Sequence, residues 1–126
     1  MSWKPEKETY LSNSEIDHWL IEIPSLIARQ EEVLAGAQKE MDEAKNTYEQ
    51  KFSLAVLNSA GTSEDKRKAD ATKETTEEKK KVIQTQENYN KQKALYHEWL
   101  NKHESIIELA RNRRAEIKSS MDGEIK

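Results

Sequence analysis

The sequence predicts an all-α protein in which a short N-terminal helix is followed by two long helices, paired as an antiparallel coiled-coil-like hairpin in an oligomer. The chain is 34% hydrophobic and 36% charged, with three glycines and two prolines, which is typical of long two-sided helices. Apolar residues recur at intervals of seven over two long stretches, as on a helix with one apolar face. One strong turn signal, Asn58 to Ser63, separates these stretches. The 126 residues are therefore predicted to form a single helical domain.

Residues 1–11 predict an arm rather than a helix, because Pro5 stands among charged residues. Two aromatic residues, Trp3 and Tyr10, suggest that this arm docks on another part of the protein or on a neighbouring subunit. A frayed terminus is the alternative interpretation.

A short helix is predicted over residues 14–23. Ser12 and Ser14 are candidate N-caps, since an acidic residue follows each of them three positions later. Pro24 disfavours helix at the residue before it and suits the first turn of a new helix, so a boundary is expected there.

The first long helix is predicted over residues 24–58, with a narrow apolar seam that includes small residues and so suits close approach of a second helix. The seam consists of Ile27, Leu34, Ala37, Met41, Ala44, Tyr48 and Ala55, with Phe52 and Leu57 near its end. Residues 59–74 are predicted to be a turn and a charged linker, or a solvated helix end. Gly61 is expected to supply a left-handed cap, with Thr62 or Ser63 starting the next element.

The second long helix is predicted over residues 75–121. A capping box of Thr75 and Glu78 would start it, and Asp122 and Gly123 would end it. Its apolar stripe comprises Val82, Tyr89, Tyr96, Trp99, Leu100, His103, Ile106, Ile107, Ala110, Ile117 and Met121.

Several classes of function find no support in the sequence. The chain has no cysteine, and its three histidines lack the spacing of a metal-binding helix, so no metal and no cofactor is expected. It has no glycine-rich phosphate loop and no nucleophile motif, so no enzymatic activity is predicted. No apolar run approaches the about 18 residues of a membrane span, and the N-terminus is not a secretion signal. A cytoplasmic protein is predicted.

The aromatic surface exceeds what a two-helix hairpin can bury, which predicts a homo-oligomer. The residues predicted to lie between copies are Trp19, Tyr89, Tyr96, Trp99 and Ile106. The net charge of −3 predicts that one copy binds nucleic acid weakly and in a salt-sensitive way, because phosphate contacts dominate such binding.

Basic residues cluster near the C-terminus. Arg111, Arg114 and Lys118 share one helical face, at i, i+3 and i+7, and Arg113 lies beside them. Positive charge near a helix C-terminus is favourable for the helix dipole alone, which is the structural interpretation. Three cations on one face exceed that role and predict an anion-binding surface.

The basic run follows aromatic and aliphatic residues in a pattern made of Tyr96, Trp99, Leu100, Ile107, Ala110, Arg113, Arg114, Ile117 and Lys118. In this pattern, and in the arrangement of elements over residues 16–121, the chain resembles the UvsY-like recombination mediator proteins of tailed phages. The resemblance implies a ring-like homo-oligomer in the host cytoplasm that binds single-stranded DNA. It also implies two protein partners, a single-strand-binding protein that the mediator loosens and a recombinase that it helps to load.

Basic residues of the first long helix contact DNA in that family, and the nearest positions here are Lys39, Lys45 and Lys51. The first hypothesis is therefore a phage recombination mediator. The alternative is a coiled-coil structural or assembly protein of a phage that does not bind DNA. Binding of single-stranded DNA that weakens steeply with salt separates the two.

Overall fold

The computed structural model describes residues 11–125 and the side chains of residues 11–121, so the predicted arm, apart from Leu11, lies outside the described residues. These residues form three helices and no strand: α1 spans Asn13–Asn58, α2 spans Glu64–Glu74 and α3 spans Thr76–Ile125. The two long helices, α1 and α3, pack against each other. The predicted all-α fold with two long, paired helices is confirmed.

A capping box begins α1. The Ser12 hydroxyl accepts a hydrogen bond from the Glu15 amide at 3.2 Å, and the Ser12 amide donates to Glu15 Oε1 at 3.3 Å. These bonds satisfy two amides that the first helical turn leaves without partners. Of the two predicted caps, Ser12 is the N-cap, and Ser14 lies inside the helix.

The boundary predicted at Pro24 is wrong. Helix α1 continues through Pro24, so the predicted elements 14–23 and 24–58 form one helix. Proline removes one backbone hydrogen bond and costs about 3 kcal/mol in a helix interior. The side chain before it, Ile23, is fully buried in the core, and packing of the helix on both sides of the proline offsets this cost.

The turn between α1 and α2 lies where the sequence predicts it. The Ser59 hydroxyl donates to Asp70 Oδ2 at 2.7 Å and accepts from the Gly61 amide at 3.1 Å. Gly61 is not a left-handed cap, because no glycine in the described chain has a positive φ. A Cβ at Gly61 would instead lie 3.1 Å from both the Arg67 nitrogen and Lys66 Cβ. Close approach of the backbone, rather than backbone conformation, favours glycine here.

The charged segment after the turn is helix α2 rather than a linker. Ser63 is its N-cap, as one of the two predicted positions, and accepts from the Lys66 amide at 3.3 Å. Two acidic residues in its first turn and Lys73 in its last turn match the helix dipole. Ala71 is the one buried residue among the eleven, so the interpretation as a solvated helix is the correct one.

Thr75 separates α2 from α3, but it does not form the predicted capping box with Glu78. Its hydroxyl and its amide both donate to the Ala71 carbonyl, at 2.7 Å and 3.0 Å. Threonine hydroxyls bonded to the preceding turn bend helices, so this buried residue ends α2. Helix α3 extends beyond the predicted end at 121 to Ile125, since a single Gly123 costs only about 1 kcal/mol inside a helix.

The described chain forms two compact units. The terminal unit contains residues 11–31 and 95–125, and the middle unit contains residues 32–94. The terminal unit has a core of large side chains, in which Ile23 and Ile106 are fully buried. Its other buried members are Leu11, Ile16, Trp19 and Ala110.

The middle unit is held together by small side chains. The predicted seam is confirmed here, with Ala37, Met41, Ala44 and Ala55 buried on α1. Alanines at such positions allow two helices to approach closely. The Lys51 ammonium and a Glu78 carboxylate oxygen, 2.8 Å apart, join α1 to α3 in this unit.

Candidate nucleic-acid interface

Three cations near the C-terminal end of α3 form an exposed surface, the α3 basic face, defined by Arg111, Arg114 and Lys118. Their spacing of three and four residues places them along one side of the helix. Within the described part of the chain, none of the three forms an ion pair. All three side chains are exposed, so an anionic ligand can reach them from solvent.

Arg113 has a different role from its neighbours. It is half-buried, and its Nη2 donates to the Leu11 carbonyl at 3.0 Å. This bond joins the residue before the α1 cap to α3 and satisfies a backbone acceptor that is otherwise without a helical partner. Arg113 is thus a structural residue of the terminal unit, which removes it from the predicted DNA-binding set.

The three lysines predicted on α1 do not form one surface. Lys39, Lys45 and Lys51 are six residues apart, and a step of six rotates a helix by about 240°, so each faces a different side. Lys51 also forms the ion pair with Glu78. Of the cations predicted to bind DNA on α1 and α3, only those of the α3 basic face lie together on one surface.

Acidic side chains dominate the groove of the middle unit beside these lysines. The groove encloses about 460 Å³ and is lined by Glu40, Glu43 and Glu78, with Lys81 as its one lining cation. The hydrogen bond from Lys51 lowers the pKa of the Glu78 carboxyl below its ordinary value, with further help from a backbone hydrogen bond. The carboxylates of this groove repel phosphate, which argues against the DNA contacts predicted for α1.

Two of the residues predicted to lie between copies belong instead to the core of a single chain. Trp19 and Ile106 are 5% and 0% exposed inside the core of their own chain, so they have no surface left for a second copy. Trp99 packs against that core, and the Lys102 ammonium lies 4.7 Å from its ring centre. Tyr89 and Tyr96 are half-buried and keep part of their surface exposed.

Two leucines near the end of α1 are exposed, of which Leu57 was predicted to lie at the end of the seam and Leu54 was not selected by the sequence analysis. Leu54 and Leu57 are 58% and 78% exposed near the end of α1. The two leucines are three residues apart and therefore neighbours on the helix surface. Leu57 therefore does not belong to the buried seam to which the sequence analysis assigned it. Leu54 has no place in the heptad pattern, which is why the sequence analysis did not select it.

The fold and the α3 basic face together define a class: an all-α protein of two long packed helices with an exposed cationic end. The chain matches no protein-family model, and comparisons with characterised proteins and with solved structures also find no match. Among residues 11–125, no helix has both the length and the apolar character that a membrane-spanning segment needs. In the same residues, no three His, Asp or Glu side chains are placed to hold a metal ion.

Proposed function

We propose that this protein is a homo-oligomeric accessory protein of phage recombination that binds single-stranded DNA through its phosphate backbone. The observation that supports the proposal is the α3 basic face, three exposed cations on one side of a helix without acidic partners in the described chain. Exposed cations can replace the counterions of a phosphate backbone, which is the main source of sequence-independent affinity.

Self-association is a necessary part of this proposal. One copy carries a net charge of −3, so three cations alone give weak binding. Several copies on one strand multiply the contacts, because binding of the first copy raises the effective concentration of the next site. Exposed Leu54 and Leu57 offer an apolar surface for such assembly.

The proposed partners follow from the resemblance to the UvsY-like mediators rather than from any contact of the chain. In this proposal the oligomer loosens a single-strand-binding protein from DNA and helps a recombinase to load, in the cytoplasm of the host cell. No catalytic step and no cofactor is required, since binding and displacement alone accomplish this.

Fluorescence anisotropy with labelled single-stranded DNA tests the proposal. Affinity should fall steeply between about 50 mM and 200 mM salt. The double variant Arg111→Glu with Arg114→Glu should bind more weakly, and the slope of log affinity against log salt should decrease by about 1.4, since each phosphate contact on a single strand contributes about 0.7.

A matched control separates the α3 basic face from net charge. Lys66→Glu with Lys73→Glu makes the same change of charge at two exposed positions of α2. This variant should retain most of the affinity and the full salt slope. Equal losses in both variants, or no binding by the unmodified chain at low salt, would contradict the proposal.

A helical assembly protein that does not bind DNA is the second candidate. The exposed leucines near the end of α1 favour it, because they account for self-association without any nucleic acid. The net negative charge is consistent with it as well. If this candidate is correct, the protein is an oligomer, and the anisotropy of the labelled single-stranded DNA does not change in the same titration at low salt.

A further inference from the structure

A groove lies in the terminal unit, between the first two turns of α1 and the C-terminal part of α3. It encloses about 230 Å³, and its apolar wall contains Ile16 and Leu20 of α1 with Ala110 and Ile117 of α3. Ile117 is 51% exposed, so this wall is open to solvent. A ligand with an apolar surface would gain free energy by covering it.

The groove adjoins the α3 basic face. Arg114 belongs to both, because it lines the groove and is the middle one of the three cations on that face. Among the described residues of the lining, Arg113 and Asp17 also carry charge. Glu116, two residues after Arg114, is rotated by about 200° around α3 and lies on another side of the helix. The α3 side of the groove is therefore cationic as well as apolar.

Phosphate contacts alone do not select a single strand. A duplex has the higher density of phosphates, and each contact to it releases more counterions than a contact to a single strand. Selection of a single strand needs contact with its unstacked bases, which a duplex does not offer. The face of a base is apolar, and its edge carries donors and acceptors of hydrogen bonds. The groove combines apolar side chains with polar groups in the same way.

We infer that the groove binds one base of a single DNA strand whose phosphates lie on the α3 basic face. The inference rests on the proposed function and adds to it the surface that distinguishes a single strand from a duplex. Leu20 and Ile117 contact the face of the base, as apolar side chains do in pockets for unstacked bases. Asp17 accepts a hydrogen bond from the edge of the base, and Arg114 binds the adjoining phosphate.

Charge favours a DNA strand over a second copy of this face as the occupant. Two such faces in contact would bring Arg114 and the rest of the α3 basic face close to the same cations of the other copy, which is unfavourable. A phosphate backbone is attracted to these cations instead. The Asp17 carboxylate repels phosphate, so the base enters the groove and the backbone stays on the α3 basic face.

A comparison of two strands with equal numbers of phosphates tests the inference. One is labelled oligothymidylate, and the other is a labelled abasic strand of the same length. The full-length unmodified protein should bind oligothymidylate about fivefold more tightly or better, as expected for one base held by side chains. Fluorescence anisotropy measures both affinities, and the slope of log affinity against log salt should be the same for the two strands because it reports phosphate contacts.

Ile117→Ala removes the exposed part of the apolar wall without a change of charge. It should weaken binding of oligothymidylate about threefold or more and leave binding of the abasic strand unchanged. The matched control is Ile83→Ala, which makes the same substitution at a 49% exposed isoleucine of α3 in the middle unit. The control should bind both strands as the unmodified protein does.

The outcomes separate this inference from the proposed function. Equal affinity for the two strands, with a steep dependence on salt, would overturn the inference and leave the proposed function standing. Equal losses of affinity for oligothymidylate in Ile117→Ala and Ile83→Ala would also overturn the inference alone. Failure of the unmodified protein to bind either strand at low salt would overturn both.

Discussion

Two neighbouring arginines have different roles because their surroundings in the folded chain differ. Arg113 donates to the Leu11 carbonyl and is half-buried, whereas Arg114 is exposed and belongs to the α3 basic face. The sequence analysis assigned both arginines to the DNA-binding set, because both are cations in one basic run. Their difference comes from an acceptor 102 residues earlier in the chain, which no local pattern reveals.

Substitution of these arginines should separate stability from binding. Arg113→Ala should lower the free energy of unfolding by about 1 kcal/mol, since it leaves a partly buried carbonyl without its charged donor. Arg114→Ala should change stability by less than about 0.5 kcal/mol, as expected for an exposed position. Urea unfolding followed by circular dichroism measures both. Equal stability of the two variants would remove the structural role assigned to Arg113.

The pair of Lys51 and Glu78 predicts a pH dependence. The hydrogen bond from Lys51 lowers the pKa of Glu78 in the folded state below its ordinary value of about 4.5, so the stabilising contribution of Glu78 is present above that ordinary, unfolded pKa. It is lost as the pH falls through the lower, folded pKa. Glu78→Gln should therefore be less stable than the natural chain at neutral pH, and the difference should vanish in stronger acid.

Glu77→Gln provides the control for this comparison. Glu77 also lies in the first turn of α3, but its ion pair with Lys80 is within one helix and is longer, at 3.4 Å. Its substitution removes the same charge from the helix terminus without breaking the contact to α1. Urea unfolding at pH 7 and at acidic pH should show a smaller change for Glu77→Gln, and an equal change would contradict the role of the Lys51 contact.

At the scale of elements, the sequence predicts where apolar faces and caps lie better than where helices stop. The α1 seam, the Ser12 cap and the turn after Asn58 are local patterns, and the structure confirms them. The errors at Pro24, at the charged segment and at Thr75 share one cause. Each boundary depends on packing or hydrogen bonding of the whole helix, which overrides local propensity.

Replacement of Pro24 by alanine should stabilise the folded protein. Because Pro24 lies within continuous helix, Pro24→Ala restores an amide donor and should raise the free energy of unfolding by about 1–3 kcal/mol. Ser25→Ala, at the next exposed position, should raise it by about 0.5 kcal/mol or less through helix propensity alone. Chemical denaturation measures both changes. A loss of stability in Pro24→Ala would mean that the proline itself stabilises α1.

At the scale of the whole molecule, the candidate site could be predicted only in part. The α3 basic face was predictable because its spacing is local to one helix. The predicted interface residues Trp19 and Ile106 instead belong to the core of their own chain. Sequence periodicity identifies an apolar face but does not distinguish burial within one chain from burial between copies.

The proposed self-association therefore depends on residues that the chain leaves exposed. Leu54→Glu with Leu57→Glu should lower the mass of the assembly, because charges on that surface oppose contact with another copy. The control, Gln84→Glu with Asn88→Glu, adds the same charge at two exposed polar positions one turn apart on α3 and should preserve the assembly. Circular dichroism should show unchanged helix content in both. Equal loss of mass in both variants would exclude a specific role for the leucines.

The mass of the unmodified protein in solution, measured by light scattering over a range of concentrations, tests the central claim most directly. That claim is that several copies must assemble before the few cations of each can hold a DNA strand. A mass that is a multiple of the 14.7 kDa chain is the predicted result. A folded protein of 14.7 kDa at every concentration tested would contradict it.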